Sequence, residues 1–406
     1  MNKSEQILQR QKVRIRFQNT DMDFALNWAL GAGTIVGMSH GEIFGVVSGI
    51  KDGDPESWRD AFRKHGRYLS NQLHGSSNNE GIASTGFINL AAAHAYRASL
   101  QYADPTAADF SERLTEMETC FALGLRQTAI PMRAIDVPFE GHFLPGYFLE
   151  IDNAKAATLV MVGGGDTFRE DLFWFAGYAG WQRGYNVLMV DLPGQGKVPA
   201  MGLPFRTDMA APISSALDWL LANAKHPVDQ IAIYGVSGGG FFTAQATASD
   251  HRIKAWIAST PIIDVAKVFA REFGAAAKTP GWLMNALLRL VGSFNFGADL
   301  ALKKYAWQFG TSDFKSAIDR VLTDALPADH TRIACPSLFL MGESEAPELK
   351  RQTLEVFEAF KARNLDVSLR TFTIEEGADA HCQINNLRLA HRVIFDWLDR
   401  VFGPPA

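Results

Sequence analysis

The stretch Ile231-Ala-Ile-Tyr-Gly-Val-Ser-Gly-Gly-Gly240 decides how the chain is read. Ile231 to Tyr234 is a compact apolar run of the kind that forms a buried strand. Gly235-Val236-Ser237-Gly238-Gly239 follows as G-x-S-x-G, and Phe241 to Ala248 reads as a helix. Strand, tight glycine turn and helix make the context of a nucleophile elbow, which holds a serine hydroxyl above a sheet at the positive end of the next helix. Small residues two before and two after Ser237 let the backbone bend sharply there. With 35 glycines in the chain the motif alone could arise by chance; the flanking strand and helix give it weight.

Outward from this stretch, strand and helix patterns alternate, which points to βαβ units and a largely parallel sheet. Upstream, Ala157–Val162 and Asn186–Val190 read as strands, with helices over Glu170–Arg183 and Asp208–Ala224. Downstream, Lys254–Ser259, Pro336–Met341 and Val367–Phe372 read as strands, and a last helix runs from about Cys382 to Val401. Arg133–Glu140 and Phe143–Glu150 read as a hairpin turning at Gly141-His142. Before about Pro131 the chain reads as helical throughout. Asp54-Pro55-Glu56 opens one helix with an acidic cap and a proline at its first position. Others cover Gly86–Tyr96 and Phe110–Leu125. His74 and His94 fall here and read as packed or surface residues. Between Asp264 and about Asp329 the alternation stops, and Val265–Phe273, Trp282–Val291 and Asp299–Phe309 read as helices with many aromatics. An insertion of this kind suggests a lid.

At 406 residues the chain can bury a sizeable core, and 47% apolar with 20% charged residues excludes a disordered or fibrous class. A net charge of −5 without a long Lys/Arg run gives no reason to expect nucleic acid. Cys120, Cys335 and Cys382 have no metal-ligand spacing and read as reduced thiols, so the expected location is cytoplasmic. No secretory leader is expected after Met1, and Ala25–Met38, with Asn27 and several glycines, is too short to cross a bilayer.

A serine becomes a nucleophile only when a base, itself oriented by a third group, removes its proton. His381, in the loop Gly377-Ala-Asp-Ala-His381 after the last strand, is the expected base; His330 and His391 are less well placed. The orienting acid is expected just past a strand end. Glu345 in Gly342-Glu-Ser-Glu345 is the first choice, with Glu343 and Asp264 as competitors. A carboxylate not used this way reads as a turn residue or a substrate contact, and Asp264 is the substrate-binding candidate. The oxyanion donors are expected to be the N–H of Gly238 and a second N–H, best assigned to Gly165, in Gly163-Gly-Gly-Asp166. Asp166 reads as the N-cap of the following helix. Two decoys fall away. Gly163-Gly-Gly-Asp-Thr has Phe168 where a dinucleotide turn needs its third glycine. Gly194-Gln-Gly-Lys197 lacks the spacing and the Ser/Thr of a P-loop. Neither a cofactor nor a metal is called for.

Further motifs are Gly41-Glu42, Ile50-Lys-Asp-Gly-Asp-Pro-Glu-Ser-Trp58, Tyr96-Arg-Ala98, Leu144-Pro-Gly-Tyr147 and Gly377-Ala-Asp-Ala-His-Cys-Gln383. With the elbow they resemble α/β-hydrolases that carry an N-terminal helical domain, a group that includes 2,6-dihydroxypseudooxynicotine hydrolase, fungal pigment-pathway hydrolases that shorten polyketides, and FrsA-like proteins. The resemblance spans nearly the whole chain. It implies an α/β-hydrolase fold, with a mostly parallel sheet and helices on both faces, in residues 131–406. It also implies a helical cap domain in residues 1–130 and a helical lid insertion at about 265–329. A Ser237–Glu345–His381 triad and cleavage of a carbon–carbon bond next to a ketone, as in polyketide or secondary metabolism, are further implications. Glutamate stands where aspartate is commoner in the family, which keeps Glu343 and Asp264 open. Esterases also occur in the group, so ester or thioester cleavage, lyase or cyclase chemistry, and a non-catalytic binding role are the alternatives. The expected partner is an apolar or aromatic small molecule, with no nucleic acid and no membrane; a homodimer is left open.

Overall fold

The computed structural model describes residues 10–74, 82–281, 283–284 and 296–404. Helices α1 (Thr20–Val36), α2 (His40–Ser48), α3 (Pro55–His74), α4 (Ile82–Leu100) and α5 (Phe110–Gln127) precede the sheet. The α3 start is the one expected: Asp54 Oδ1 accepts from the N–H groups of Glu56 (3.0 Å) and Ser57 (3.1 Å).

The sheet and its crossovers follow in the order β1 (Met132–Phe139), β2 (His142–Leu149), β3 (Thr158–Val162), α6 (Arg169–Leu172), α7 (Tyr178–Gln182), β4 (Asn186–Val190), α8 (Ala210–Asn223), β5 (Ile231–Val236), α9 (Gly239–Ser249) and β6 (Ile253–Ser259). A π-helical turn, Phe173–Gly177, joins α6 to α7. After β6 come α10 (Val265–Lys278), α11 (Phe296–Phe309) and α12 (Phe314–Asp324), and then β7 (Ser337–Gly342), α13 (Pro347–Ala362), β8 (Val367–Phe372) and α14 (Leu387–Phe402). The eight strands order as β1-β2-β4-β3-β5-β6-β7-β8. The β1–β2 and β2–β4 pairs are antiparallel, and every other pair is parallel.

Side chains alternate across the strands, and the two sets pack into separate cores. Leu159, Met161, Ala232 and Tyr234 face a core shared with α1–α7 and α14. Val160, Val162, Ile231 and Ile233 face one shared with α8, α9 and α13. Strands buried on both faces have no polar side to alternate with, which is why they read as continuous apolar runs. This is the α/β-hydrolase fold. Among the described residues no helix is long and apolar enough to cross a membrane.

Three expectations need correction. Residues 10–19 form an irregular segment with several bends rather than a helix. Asp23, 1% exposed, accepts from the N–H groups of Ile15, Arg16 and Phe17, and Asp52 accepts from those of Gln18 and Asn19. The last helix starts at Leu387, not Cys382, because Cys382 (φ 56°) and Gln383 (φ 52°) are left-handed and Asn386 supplies the cap. The helix α12 was not anticipated. The segment read as Trp282–Val291 lies outside the described residues except for Leu283 and Met284, which are helical, and nothing is described of the His74 side chain.

Candidate active site

Strand β5 ends in the elbow, and Ser237 has φ 55°, a conformation sparsely populated by residues other than glycine. The flanking glycines are required by space. A Cβ at Gly235 would lie 2.3 Å from Gly239 O and 2.4 Å from Thr243 Oγ1, and one at Gly239 would lie 2.5 Å from Val162 O. The strain is held by the turn itself: Ser237 N–H donates to Ser259 O on β6 (2.5 Å) and Ser237 O accepts from Gly240 N–H (2.8 Å).

The loops after β7 and β8 bring the other two side chains to the serine. His381 Nε2 lies 2.8 Å from Ser237 Oγ, and its Nδ1 lies 2.7 Å from Glu345 Oε1. A carboxylate accepts, so Nδ1 carries the proton and Nε2 is left free to accept the serine hydroxyl. Glu345 is 3% exposed and His381 8%. Oε1 of Glu345 also accepts from Ala346 N–H (3.3 Å), whereas Oε2 has no partner among the described residues. Burial disfavours the His381 imidazolium; the Cys382 sulfur and the Glu345 carboxylate outweigh it, and the net direction is well above the ordinary histidine value.

The competing acids are engaged elsewhere. Glu343 is exposed and accepts from Ile374 N–H (3.1 Å). Asp264 accepts from Lys267 N–H (3.0 Å) at the start of α10 and pairs with the Lys267 ammonium (3.0 Å). Both ring nitrogens of His381 are taken by Glu345 and Ser237, which leaves neither Glu343 nor Asp264 a place on it. Gly164 presses on the elbow: a Cβ there would sit 2.7 Å from Ser237 Cβ and 2.9 Å from Gly238 N. A Cβ on Gly238 would sit 3.6 Å from Gly165 N, so the two expected oxyanion amides are neighbours. Asp166 is not a helix cap. Its carboxylate pairs with Lys304 of α11 (2.7 Å), which holds it down to about 2, and Asp171 takes the Phe168 N–H instead.

Several groups around the site escaped the sequence. Arg10 O accepts from His381 N–H (2.8 Å), while the Arg10 guanidinium lies 4.1 Å above the Phe24 ring and pairs with Asp21 (2.7 Å). Helix α1 comes close enough for this because Gly31 lies against the backbone after the histidine, where a Cβ would be 1.6 Å from Ile384 O. From the other side α10 offers Glu272, pushed up to about 7 by burial and by Glu345 against the pull of Arg10 and His381. Phe269, Phe273, Tyr305, Phe309 and Phe314 join α10, α11 and α12 in one aromatic cluster. The aromatic content had signalled this cluster; a single Glu or Arg in a helical pattern signals nothing.

The α/β hydrolase fold family model matches residues 163–327. A hydrolase of Fusarium sp is 27% identical over 419 residues, spanning 95% of this chain and 98% of that protein. The 20-hydroxy-prefusarin hydrolase of Gibberella moniliformis is 26% identical over 422 residues, spanning 95% and 98%. The crystal structure of 2,6-dihydroxy-pseudo-oxynicotine hydrolase superposes with a TM-score of 0.63 at 18% identity, covering 92% of this chain and 95% of that one. The chain is an α/β-hydrolase-fold enzyme. It is similar along nearly its full length to these two fungal hydrolases. Among the described residues no group of His, Cys, Asp and Glu is arranged to hold a metal ion.

Proposed function

We propose that this enzyme is a serine hydrolase acting through an acyl-enzyme on Ser237, with His381 as base, Glu345 as the orienting acid, and Gly165 and Gly238 as oxyanion donors. The observation that carries the proposal is the unbroken chain Ser237 Oγ–His381–Glu345, at 2.8 and 2.7 Å, in a buried setting. Ser237 attacks a carbonyl carbon while Nε2 takes the hydroxyl proton. The tetrahedral oxyanion collapses, the bond to the leaving group breaks, and the imidazolium returns the proton to that group. Water then adds to the acyl-enzyme by the same route and releases the acid.

For the bond, our proposal is a carbon–carbon bond beside a ketone, in a substrate whose leaving carbanion is stabilised as an enolate by a second carbonyl or a ring. The family resemblance and the fungal relatives support this, and the aromatic cluster of the lid supports an apolar or aromatic ligand, with residues 10–127 and the lid closing around it. Ester or thioester cleavage by the same triad is the alternative. The test is intact-mass analysis after fluorophosphonate treatment, with one adduct expected on Ser237 and none on Ser237→Ala or His381→Ala. A Ser237→Ala variant that kept its full hydrolytic rate would refute the mechanism. The bond class is then read by offering an aryl 1,3-diketone beside the matching aryl ester and identifying the acid released.

A further inference from the structure

The glycine loop after β3 is gripped at four successive carbonyls by side chains from three other parts of the fold. Gln195, fully buried, donates from Nε2 to Gly163 O and to Gly164 O (3.0 Å), and its Oε1 accepts from Leu192 N–H (2.8 Å). Gln308 on α11, 6% exposed, donates to Gly165 O (2.5 Å) and Gly194 O (3.4 Å). Arg97 on α4 donates to Asp166 O (2.8 Å), while its Nε holds Asp171 (2.8 Å).

In a trans peptide the C=O of one residue and the N–H of the next point in opposite directions. A side chain that fixes a carbonyl therefore also fixes the amide that follows it. Gln195 turns the Gly164 and Gly165 N–H groups away from itself, and Ser237 and Gly238 lie against that same loop. Three consecutive glycines have no side chains to choose a conformation and pay the largest backbone entropy of any residues. The direction of their amides is thus set from outside.

We propose that Gln195 is a positioning residue for the oxyanion site, aiming the Gly165 N–H at the reacting carbonyl without touching substrate, and that Gln308 braces the next peptide, from Gly165 C=O to Asp166 N–H. Gln195 belongs to the Gly194-Gln-Gly-Lys197 turn, whose glycines suggest a phosphate loop and whose function is instead to support this one. Gln308 ties the peptide that follows Gly165 to α11, so the glycine loop is braced from the lid helix as well.

The inference rests on the acyl-transfer reading, and its test separates the two. The substrates are a p-nitrophenyl ester and its thiono counterpart, because sulfur accepts hydrogen bonds poorly and reports on the oxyanion donors. The variants are Gln195→Met and, on a different element, Gln308→Met; both keep length and remove the donors. Outright loss of an oxyanion donor costs about 10²–10³ in kcat. Misdirecting one is expected to lower kcat for the oxygen ester about 10–100-fold, with KM within about twofold. The oxygen-to-sulfur rate ratio should shrink by a similar factor. Gln195→Glu, which keeps the acceptor for Leu192 but places an acceptor against two carbonyls, is expected to be as slow. Gln308→Met, which frees only the following peptide, is expected to have the smaller effect; an unchanged oxygen-to-sulfur ratio in folded Gln195→Met, a Gln308→Met variant slowed more than Gln195→Met, or a Gln195→Glu variant at wild-type rate overturns the inference. A wild-type protein that cleaves neither ester and takes no fluorophosphonate overturns the acyl-transfer reading and this inference with it.

Discussion

Replacing Glu345 by glutamine tests the orienting acid most sharply, because the structure lets charge be removed with little else disturbed. Oε1 of Glu345 is fixed by two donors, His381 Nδ1–H and Ala346 N–H, while Oε2 has no partner among the described residues. A glutamine therefore places its carbonyl oxygen where Oε1 stands and its NH₂ where Oε2 stands, and the histidine tautomer is kept. What is lost is the attraction between the carboxylate and the imidazolium that forms as Ser237 is deprotonated. For charge centres about 4 Å apart and an effective dielectric constant of about 20, this is about 4 kcal/mol. That corresponds to about 10³ in rate. The assay is the second-order rate of fluorophosphonate labelling by intact mass, with thermal unfolding alongside. Glu345→Gln is expected to label about 10³-fold more slowly with Tm shifted by no more than a few degrees. Glu343→Gln, which loses only an exposed contact to Ile374 N–H, and Asp264→Asn, which keeps a capping oxygen, are expected to stay within about threefold of wild type. A Glu345→Gln variant within tenfold of wild type, or an Asp264→Asn variant slowed as much as Glu345→Gln, would refute the assignment.

The base must be neutral to act and its folded-state value is raised, so the rising limb of kcat/KM against pH is expected above pH 6.5; a limb centred below 6.5 contradicts the Glu345–His381 pairing. His94 and His391 are buried and neutral, pushed down to about 3 and about 4 by desolvation. Below about pH 6.5 the unfolded chain binds protons that the folded chain refuses, so this contribution to stability is complete above pH 6.5 and is lost as pH falls toward 4. Two such groups give a slope approaching about 2.7 kcal/mol per pH unit. Urea midpoints from pH 7 to pH 5 measure it, and a His94→Gln/His391→Gln protein that keeps the full slope contradicts it. Gly235→Ala is expected to cost at least about 2 kcal/mol and to slow labelling, because its methyl meets Gly239 O at 2.3 Å. Gly165→Ala, with nothing within 4 Å of the added methyl, is expected to change stability by less than about 0.5 kcal/mol; chemical denaturation compares the two.

The central strands were legible because parallel strands buried on both faces must be apolar along their length, and β4 falls on the expected residues; β8, a half-buried edge strand, also does, by its alternating Val367-Ser-Leu-Arg-Thr-Phe372. Ser237 was legible because its strained turn needs glycines at fixed offsets, and His381 and Glu345 because each follows a strand end. The irregular segment of residues 10–19 was not, since it is held by the side chains of Asp23 and Asp52, which leave no periodic trace. The true start of α14 was hidden because Cys382 and Gln383 adopt left-handed backbone without being the residue types that announce it. Asp166 was read locally as a cap, and its partner Lys304 lies 138 residues away. Gln195 was set aside with a motif it does not belong to. Its importance comes from two carbonyls about thirty residues upstream, a relation that only the folded chain displays.

The distance along the chain between Ser237 and His381 has a consequence during synthesis. Ser237 and His381 are 144 residues apart, and β6, the lid, β7 and β8 all lie between them. At about 5–20 residues per second the ribosome needs roughly 7–30 s to cover that interval. Once β6 has been made and Ser259 O can hold the turn, Ser237 still lacks its histidine for most of that interval. When the histidine arrives, its backbone N–H donates to Arg10 O, from one of the first described residues to have been made. Under the proposed mechanism a nascent chain is therefore expected not to acylate itself on cellular esters or thioesters, and a product truncated before His381 is expected to take no fluorophosphonate, however well its central strands have paired.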